Sequence, residues 1–266
     1  MPAWNVVFEK APIYSQMARN YARLKVVKDR GPYLVFYELP RPAVVLAKYQ
    51  HVDDIDRAAC ESMGVDYTRR NSEGSAMYCD SRVIPYSIIA SRNGRDATAI
   101  HEEHGSGIAS ALREAGLRNV TLGKHFSVRV DGKIIAGHGQ HFEGPDSSIS
   151  YIYEGVLAFD KWDVDSMDKV IKLRPQFGEK EHIAALPYVR KYSDIPKRDM
   201  IELLMENITH SSFEVIDTEH DIMGASKELE KHYKSGKWIE FSDANPAVLQ
   251  KDQGFCFSLF IEEEPV

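Results

Sequence analysis

The densest stretch of polar and small residues in the chain is Arg69-Arg70-Asn71-Ser72-Glu73-Gly74-Ser75-Ala76. Small residues beside paired guanidinium groups suit an anion, because backbone amides can approach a phosphate while Arg70 supplies charge. The same run fits an ordinary polar surface loop whose arginines pair with local acids. A second candidate is Gly137-His138-Gly139-Gln140-His141. Glycines at the end of a strand let a ligand lie close to the backbone, and the plain alternative is a glycine-rich bulge. His138 and His141 are potential metal ligands, but no third ligand accompanies them in sequence. In His101-Glu102-Glu103-His104 the histidines stand three apart, which misses the zinc-protease spacing and reads as a solvated helix face. Cys79 follows Tyr78 at a strand end; with no partner base identifiable it reads as a half-buried structural thiol. Neither the Walker-type phosphate loop nor the dinucleotide glycine fingerprint occurs.

The elements that must position these residues alternate along the first half. A strand is expected over 4–8 and a helix over 13–27, with Met17, Tyr21 and Leu24 at helical spacing. Strands over 33–37 and 43–47 follow, separated by Pro40 and Pro42. Asp53 is expected to cap a helix that Gly64 ends. Short strands over 65–68, 76–78 and 84–89 bracket the arginine run, and a helix over 97–115 closes at Gly116. Asp131-Gly132, between apolar runs at 126–130 and 133–136, is the strongest hairpin signal in the chain. A strand over 149–159 completes the sheet-rich part. From Val164 the pattern is mainly helical, with helices over 164–172, 198–208 and 222–233 and a possible last strand over 255–261. Hairpins mixed with helices imply an α+β fold with a mixed, mostly antiparallel sheet flanked by helices.

The chain has 266 residues, 43% of them hydrophobic and 27% charged, enough for a substantial core without staples. A formal charge of -7 argues against nonspecific binding to nucleic acid, which needs a basic face. Cys60, Cys79 and Cys256 form no paired framework, consistent with a reducing compartment. No apolar run approaches the roughly 20 residues that span a bilayer, and the first residues carry no secretory signature. The expectation is a cytoplasmic protein with no membrane and no nucleic-acid partner.

Several ordered motifs together resemble the lipoate–protein ligase family, within the biotin and lipoate ligase and octanoyltransferase superfamily. They are Pro42-Ala43-Val44-Val45-Leu46-Ala47-Lys48-Tyr49-Gln50, then the arginine run continuing through Met77-Tyr78-Cys79-Asp80 and Tyr86-Ser87. Val130-Asp131-Gly132-Lys133-Ile134-Ile135-Ala136-Gly137-His138-Gly139-Gln140 and Gly155-Val156-Leu157-Ala158-Phe159-Asp160 follow. The resemblance spans about residues 33–238 and is similar to the short archaeal type. It implies a ligase-like catalytic domain over 1–240 with a tail over 241–266. It also implies an activity: lipoate and ATP give lipoyl-adenylate, and the lipoyl or octanoyl group passes to a lysine of a carrier domain. A magnesium ion assists activation in such enzymes, with no tightly held metal expected here, and a separate small accessory protein is an expected partner. The residues it assigns are Arg70, Ser72, Gly74, Ser75, Ala76 and Tyr78 on the loop side, Gly137 and Gln140 on the opposite wall, and Lys133 at the acyl carbonyl.

Four positions depart from the family pattern. Glu73 puts a carboxylate among the loop's glycines, Cys79 replaces a histidine, and the Asn-Asp pair falls at His125-Phe126. Ile134 stands where the family has its lysine. Lys133 is adjacent, but neighbouring strand residues face opposite sides unless a bulge intervenes. The leading reading is therefore a divergent lipoate–protein ligase-like acyl transferase. The alternative is a catalytically silent member that binds ligand or carrier as a scaffold or regulator. A third option is ATP-independent transfer from an acyl carrier through Cys79.

Overall fold

A computed structural model describes residues 3–123, 126–145, 148–172, 185–217 and 219–240. The chain opens with strand β1 (Trp4–Lys10), helix α1 (Ile13–Arg30) and strands β2 (Tyr33–Glu38) and β3 (Ala43–Leu46). Helix α2 (Arg57–Met63) leads to β4 (Asp66–Arg69), β5 (Met77–Cys79) and β6 (Val83–Ser91). Helix α3 (Ala97–Glu114) precedes β7 (Val120–Gly123), β8 (Ser127–Val130), β9 (Lys133–Glu143) and β10 (Ser150–Ala158). Then come α4 (Val164–Val170), α5 (Lys197–Thr209), β11 (Phe213–Ile216), α6 (His220–Lys234) and the short α7 (Gly236–Ile239).

The strands form one mixed eight-stranded sheet, β11-β1-β2-β6-β10-β9-β8-β7, and a separate three-stranded sheet, β4-β3-β5. Pairing is parallel only for β11–β1 and β1–β2 in the large sheet and for β3–β4 in the small one. One face of the large sheet buries Leu34, Tyr86, Ile88, Val130 and Tyr153 against Ile108 and Leu112 of α3 and Leu204 of α5. The other face packs Val35 and Ile89 against Met17 and Leu24 of α1 and against Val45 of the small sheet. The small sheet in turn covers α2 and α4 through Val44, Cys60, Met167 and Val170.

The Asp131-Gly132 hairpin forms as expected. Both residues have positive φ, 51° and 76°, the twist that a two-residue turn between right-twisted strands requires. The following strand does not stop at the glycines; β9 runs on to Glu143, pairing Gly137 with Val156 and Gln140 with Tyr153. The glycine-rich segment is thus strand interior, carried by β10 beside it. A bulge does occur, but earlier: Val128 pairs with Ala136 and Arg129 with Ile134, which leaves Ile135 as the extra residue.

Other expectations shift. The helix before Gly64 is capped by Asp56, whose carboxylate accepts the Ala59 N–H at 2.9 Å; Asp53 lies in a preceding 3-10 turn (Val52–Asp54). β7, β11 and the division into two sheets carry no clear local signal, since four-residue strands are defined by distant partners. His101 and His104 are buried under the large sheet, not solvated. The expected strand over 255–261 lies outside the described residues. Among the described residues no helix is long and apolar enough to cross a membrane.

The capping difference is measurable. Asp56→Ala should cost about 1 kcal/mol in urea unfolding, whereas Asp53→Ala, whose side chain is largely in solvent, should leave the midpoint nearly unchanged.

Candidate functional site

The arginine run is interior. Thr68, Arg69, Arg70, Ser72 and Ser75 are all buried, while Glu73 is exposed. The segment lies between the small sheet and β9: the Lys48 N–H donates to the Ser72 carbonyl at 2.9 Å, and the Glu73 N–H to the Gln140 carbonyl at 3.2 Å. Contact with β9 is close enough to demand glycine. A Cβ on Gly139 would come within 2.3 Å of the Glu73 carbonyl oxygen and 2.8 Å of Ser72 Oγ.

The two arginines have different partners. Arg69 donates to backbone carbonyls of Ala47 (2.7 Å), Gln50 (2.6 Å) and Ile239 (2.6 Å), and its own carbonyl accepts from Trp238 Nε1 at 2.8 Å. With Thr68 Oγ1 donating to the Tyr233 carbonyl, it fastens α6 and α7 to the small sheet. Burial pulls its guanidinium down to about 10, still far above neutrality, so the charge stays. Arg70 faces the other way. Its Nε donates to Ser72 Oγ at 2.6 Å, Nη1 to the Val45 carbonyl at 3.2 Å and Nη2 to the Glu73 carbonyl at 2.9 Å. The Ser72 hydroxyl donates to Glu154 Oε1, which lies 3.9 Å from Arg70 Nε. Burial raises the Glu154 carboxyl, and Arg70 and Ser72 oppose that rise.

A narrow cavity of about 50 Å³ opens beside Arg70, between the small sheet, β9, β10 and α4. Met77, Ile134, Val156, Trp162 and Met167 make its lining mainly apolar; Ser75, Ala76, Tyr78, Gly137 and His138 complete the walls. Thus Arg70, Ser75, Ala76, Tyr78 and Gly137 share one cavity. Ser72 and Gly74 pack against Arg70 behind it, and the Gln140 side chain turns away to donate to the Ala97 carbonyl.

Lys133 is exposed and is not part of the lining. It pairs with Val130, whose side chain is in the core under α3 and α5. Directly opposed residues share a face, so Lys133 emerges on the side of the sheet away from the cavity, even with the bulge at Ile135.

Behind β9 lies a hydrogen-bonded aromatic cluster, which His138, itself one of the lining residues, joins to the cavity. His138 donates from Nδ1 to the Phe126 carbonyl (2.7 Å) and accepts from the Tyr86 hydroxyl at Nε2. His101 Nδ1 meets Tyr153 Oη at 2.9 Å, and His104 Nε2 meets Tyr151 Oη at 2.6 Å. Burial holds His104 and His138 down at about 3, so both are neutral. Cys79 is fully buried, and burial with Asp80 nearby pushes its thiol up to about 12. A thiolate nucleophile is disfavoured there.

The matching family model, the lipoyl protein ligase A/B catalytic domain, covers residues 12–197. The chain belongs to that family. No curated protein matches it. Among solved structures, the bipartite lipoate protein ligase of an archaeal lipoylation system from Thermoplasma acidophilum, described with its E2 lipoyl domain, superposes with a TM-score of 0.77. The identity is 17%, over 92% of this chain and 99% of that one. A putative lipoate protein ligase from T. acidophilum with bound lipoic acid gives 0.74 at 17% identity, over 91% and 100%. A lipoate–protein ligase A bound with ATP also gives 0.74 at 17%, over 91% and 100%. The fold is therefore that of lipoate–protein ligases.

Within this family member, the expected lysine position is Ile134, and its side chain belongs to an apolar wall. The donor set for magnesium does not fit: the cavity lining contains no carboxylate, Phe126 contributes only its carbonyl to His138, and His125 lies outside the described residues. No group of three or more His, Cys, Asp or Glu side chains among the described residues is arranged for a metal. Glu154 and the His–Tyr cluster are missing from the sequence-based site. A lone acid in the apolar run Tyr151-Ile152-Tyr153-Glu154-Gly155-Val156 was the available signal for Glu154, because a charge at such a position must find a partner.

Two outcomes test this geometry. Gly139→Ala should lose about 1–3 kcal/mol in chemical denaturation, while Gly137→Ala, with nothing within 4 Å of its added Cβ, should not. His104 and His138 bind protons more readily when unfolded, at the ordinary value of 6.5, than when folded, at about 3. Their stabilising contribution is complete above about pH 6.5 and is lost as pH falls toward about 3. The thermal midpoint should drop over that window, with a shallower slope in His104→Leu.

Proposed function

We propose that this protein is a divergent lipoate–protein ligase-like acyl transferase that holds a lipoyl or octanoyl chain in the cavity and delivers it to a lysine of a lipoyl carrier domain. The observation that carries this reading is the apolar cavity bounded by the arginine run on one side and β9 on the other, in a chain of the lipoyl ligase family. Met77, Val156 and Met167 suit a hydrocarbon chain. Ser75, Ala76 and Tyr78 line the cavity near Arg70, where the acyl head would lie; Ser72 and Gly74 shape that end, and Gly137 and Gln140 belong to the opposite strand.

In the transfer step the carrier amine attacks the acyl carbonyl of an acyl-adenylate. The new C–N bond forms as the C–O bond to phosphate breaks, AMP leaves with the electron pair, and the amine proton passes to solvent. Orientation of acyl chain and amine is the protein's main contribution here. Forming the adenylate from lipoate and ATP would depend on a separate small accessory protein, as the resemblance to the short archaeal type implies. The relatives support the substrates and the carrier as expectations, through lipoic acid and ATP in two of them and an E2 lipoyl domain with a third.

A second reading has its own observation. With Ile134 in the wall and Lys133 on the other face, the protein would bind acyl chain or carrier without catalysis. Mixing the protein with preformed lipoyl-adenylate and unmodified carrier domain separates the two. The expected outcome is a carrier mass gain of one lipoyl group, faster than in the protein-free control. A carrier that gains mass no faster than the control, although the adenylate binds, establishes the silent binder. Lys133→Ala should transfer at the normal rate, since its side chain lies away from the cavity.

A further inference from the structure

Within a mainly apolar cavity, one charged residue contributes to the wall: Arg70. A guanidinium there would ordinarily recruit an anion such as a free carboxylate or a phosphate. In this protein three of its N–H donors are directed to internal acceptors. Nε is held by Ser72 Oγ, Nη1 by the Val45 carbonyl and Nη2 by the Glu73 carbonyl. Behind the wall, Glu154 accepts from Ser72 and approaches Arg70 Nε to 3.9 Å. Both side chains are almost wholly inaccessible, 2% and 4% exposed, so solvent does little to screen their interaction. The remaining polar groups of the lining, Ser75, Tyr78 and the neutral His138, add no cation. Glu73 places a further carboxylate on the exposed loop at the same end.

We infer that Glu154 is a specificity-determining residue, which by balancing the charge of Arg70 across Ser72 makes the cavity accept an acyl group whose carbonyl is uncharged and reject the same chain as a free carboxylate. The donor class is therefore an activated or conjugated acyl group, such as an anhydride, thioester or amide. This rests on the acyl-cavity reading above and deepens it. An entering carboxylate would have to be desolvated opposite a guanidinium already matched by an internal acid, with nothing to offset the cost. A neutral carbonyl needs only one hydrogen-bond donor, and the Ser75 and Tyr78 hydroxyls line the same cavity.

The test uses the full chain and two probes that differ only at the head group, lipoamide and lipoate. Their dissociation constants are measured by calorimetry at neutral pH. Lipoamide should bind about tenfold or more tighter than lipoate. In Glu154→Gln, which keeps the shape and the hydrogen bond to Ser72, lipoate affinity should rise by about tenfold while lipoamide affinity stays level. Lipoate binding as tightly as lipoamide in the unmodified protein overturns the inference and leaves the acyl cavity standing. A folded Glu154→Gln variant with unchanged lipoate affinity also overturns it. Failure of both probes to bind the folded, unmodified protein overturns the acyl-cavity reading and the inference together. Should the variant not fold, the comparison of the two probes on the unmodified protein decides by itself.

Discussion

Two adjacent guanidinium groups are removed from water near the centre of this protein, and most of the site depends on how each is compensated. An unpartnered buried charge is too costly for a folded chain to retain. Arg69 meets that constraint with backbone carbonyls from two separate segments, Ala47 to Gln50 and Trp238 to Ile239. Arg70 meets it with Ser72, two carbonyls and the nearby Glu154. One arginine is thereby a joint between the small sheet and the C-terminal helices, and the other forms part of the cavity wall.

The same compensation organises the strands. Docking the arginine run against β9 brings the Glu73 and Ser72 atoms so near Gly139 that no side chain fits there. β9 is held straight along β10 through eight paired residues, and its one irregularity lies near the hairpin at Ile135. The cavity occupies the space left between these surfaces, with Trp162 and Met167 closing its far side. Behind the cavity wall, neutral histidines and tyrosines pair through hydrogen bonds and ring contacts, including His138 stacked on Tyr153 at 4.5 Å. That arrangement keeps charge away from the layer behind the cavity.

This balance also explains how family membership and altered chemistry coexist. The elements that make the fold, the two sheets and the helices covering them, follow apolar packing and tolerate many sequences. The chemistry depends on a few side chains in the wall, and several of them differ here. Ile134 packs into an apolar surface without disturbing the strand, so the fold carries no penalty for losing an amine at that position.

Much of the architecture was legible in the chain. The 3.6-residue spacing of Met17, Tyr21 and Leu24 marks α1, and Asp131-Gly132 marks the hairpin, because each is a local conformational preference. The ordered motifs from Pro42 to Asp160 point to the family. The length of β9 and the strands β7 and β11 were not legible, since pairing partners decide them, and the cap fell to Asp56 because Asp53, Asp54 and Asp56 offer the same side chain within four residues. The site divided along the same line. Sequence by itself determined that the arginine run joins two short strands, with Arg69 closing the first of them in the structure, and that Ile134 replaces an expected lysine. Only the tertiary structure decided that these arginines are interior, that Lys133 emerges on the far face, and that Glu154 stands behind Arg70. Glu154 and Ser72 are separated by 82 residues along the chain, and only the folding of the arginine run onto β9 and β10 brings their charges and hydroxyls together.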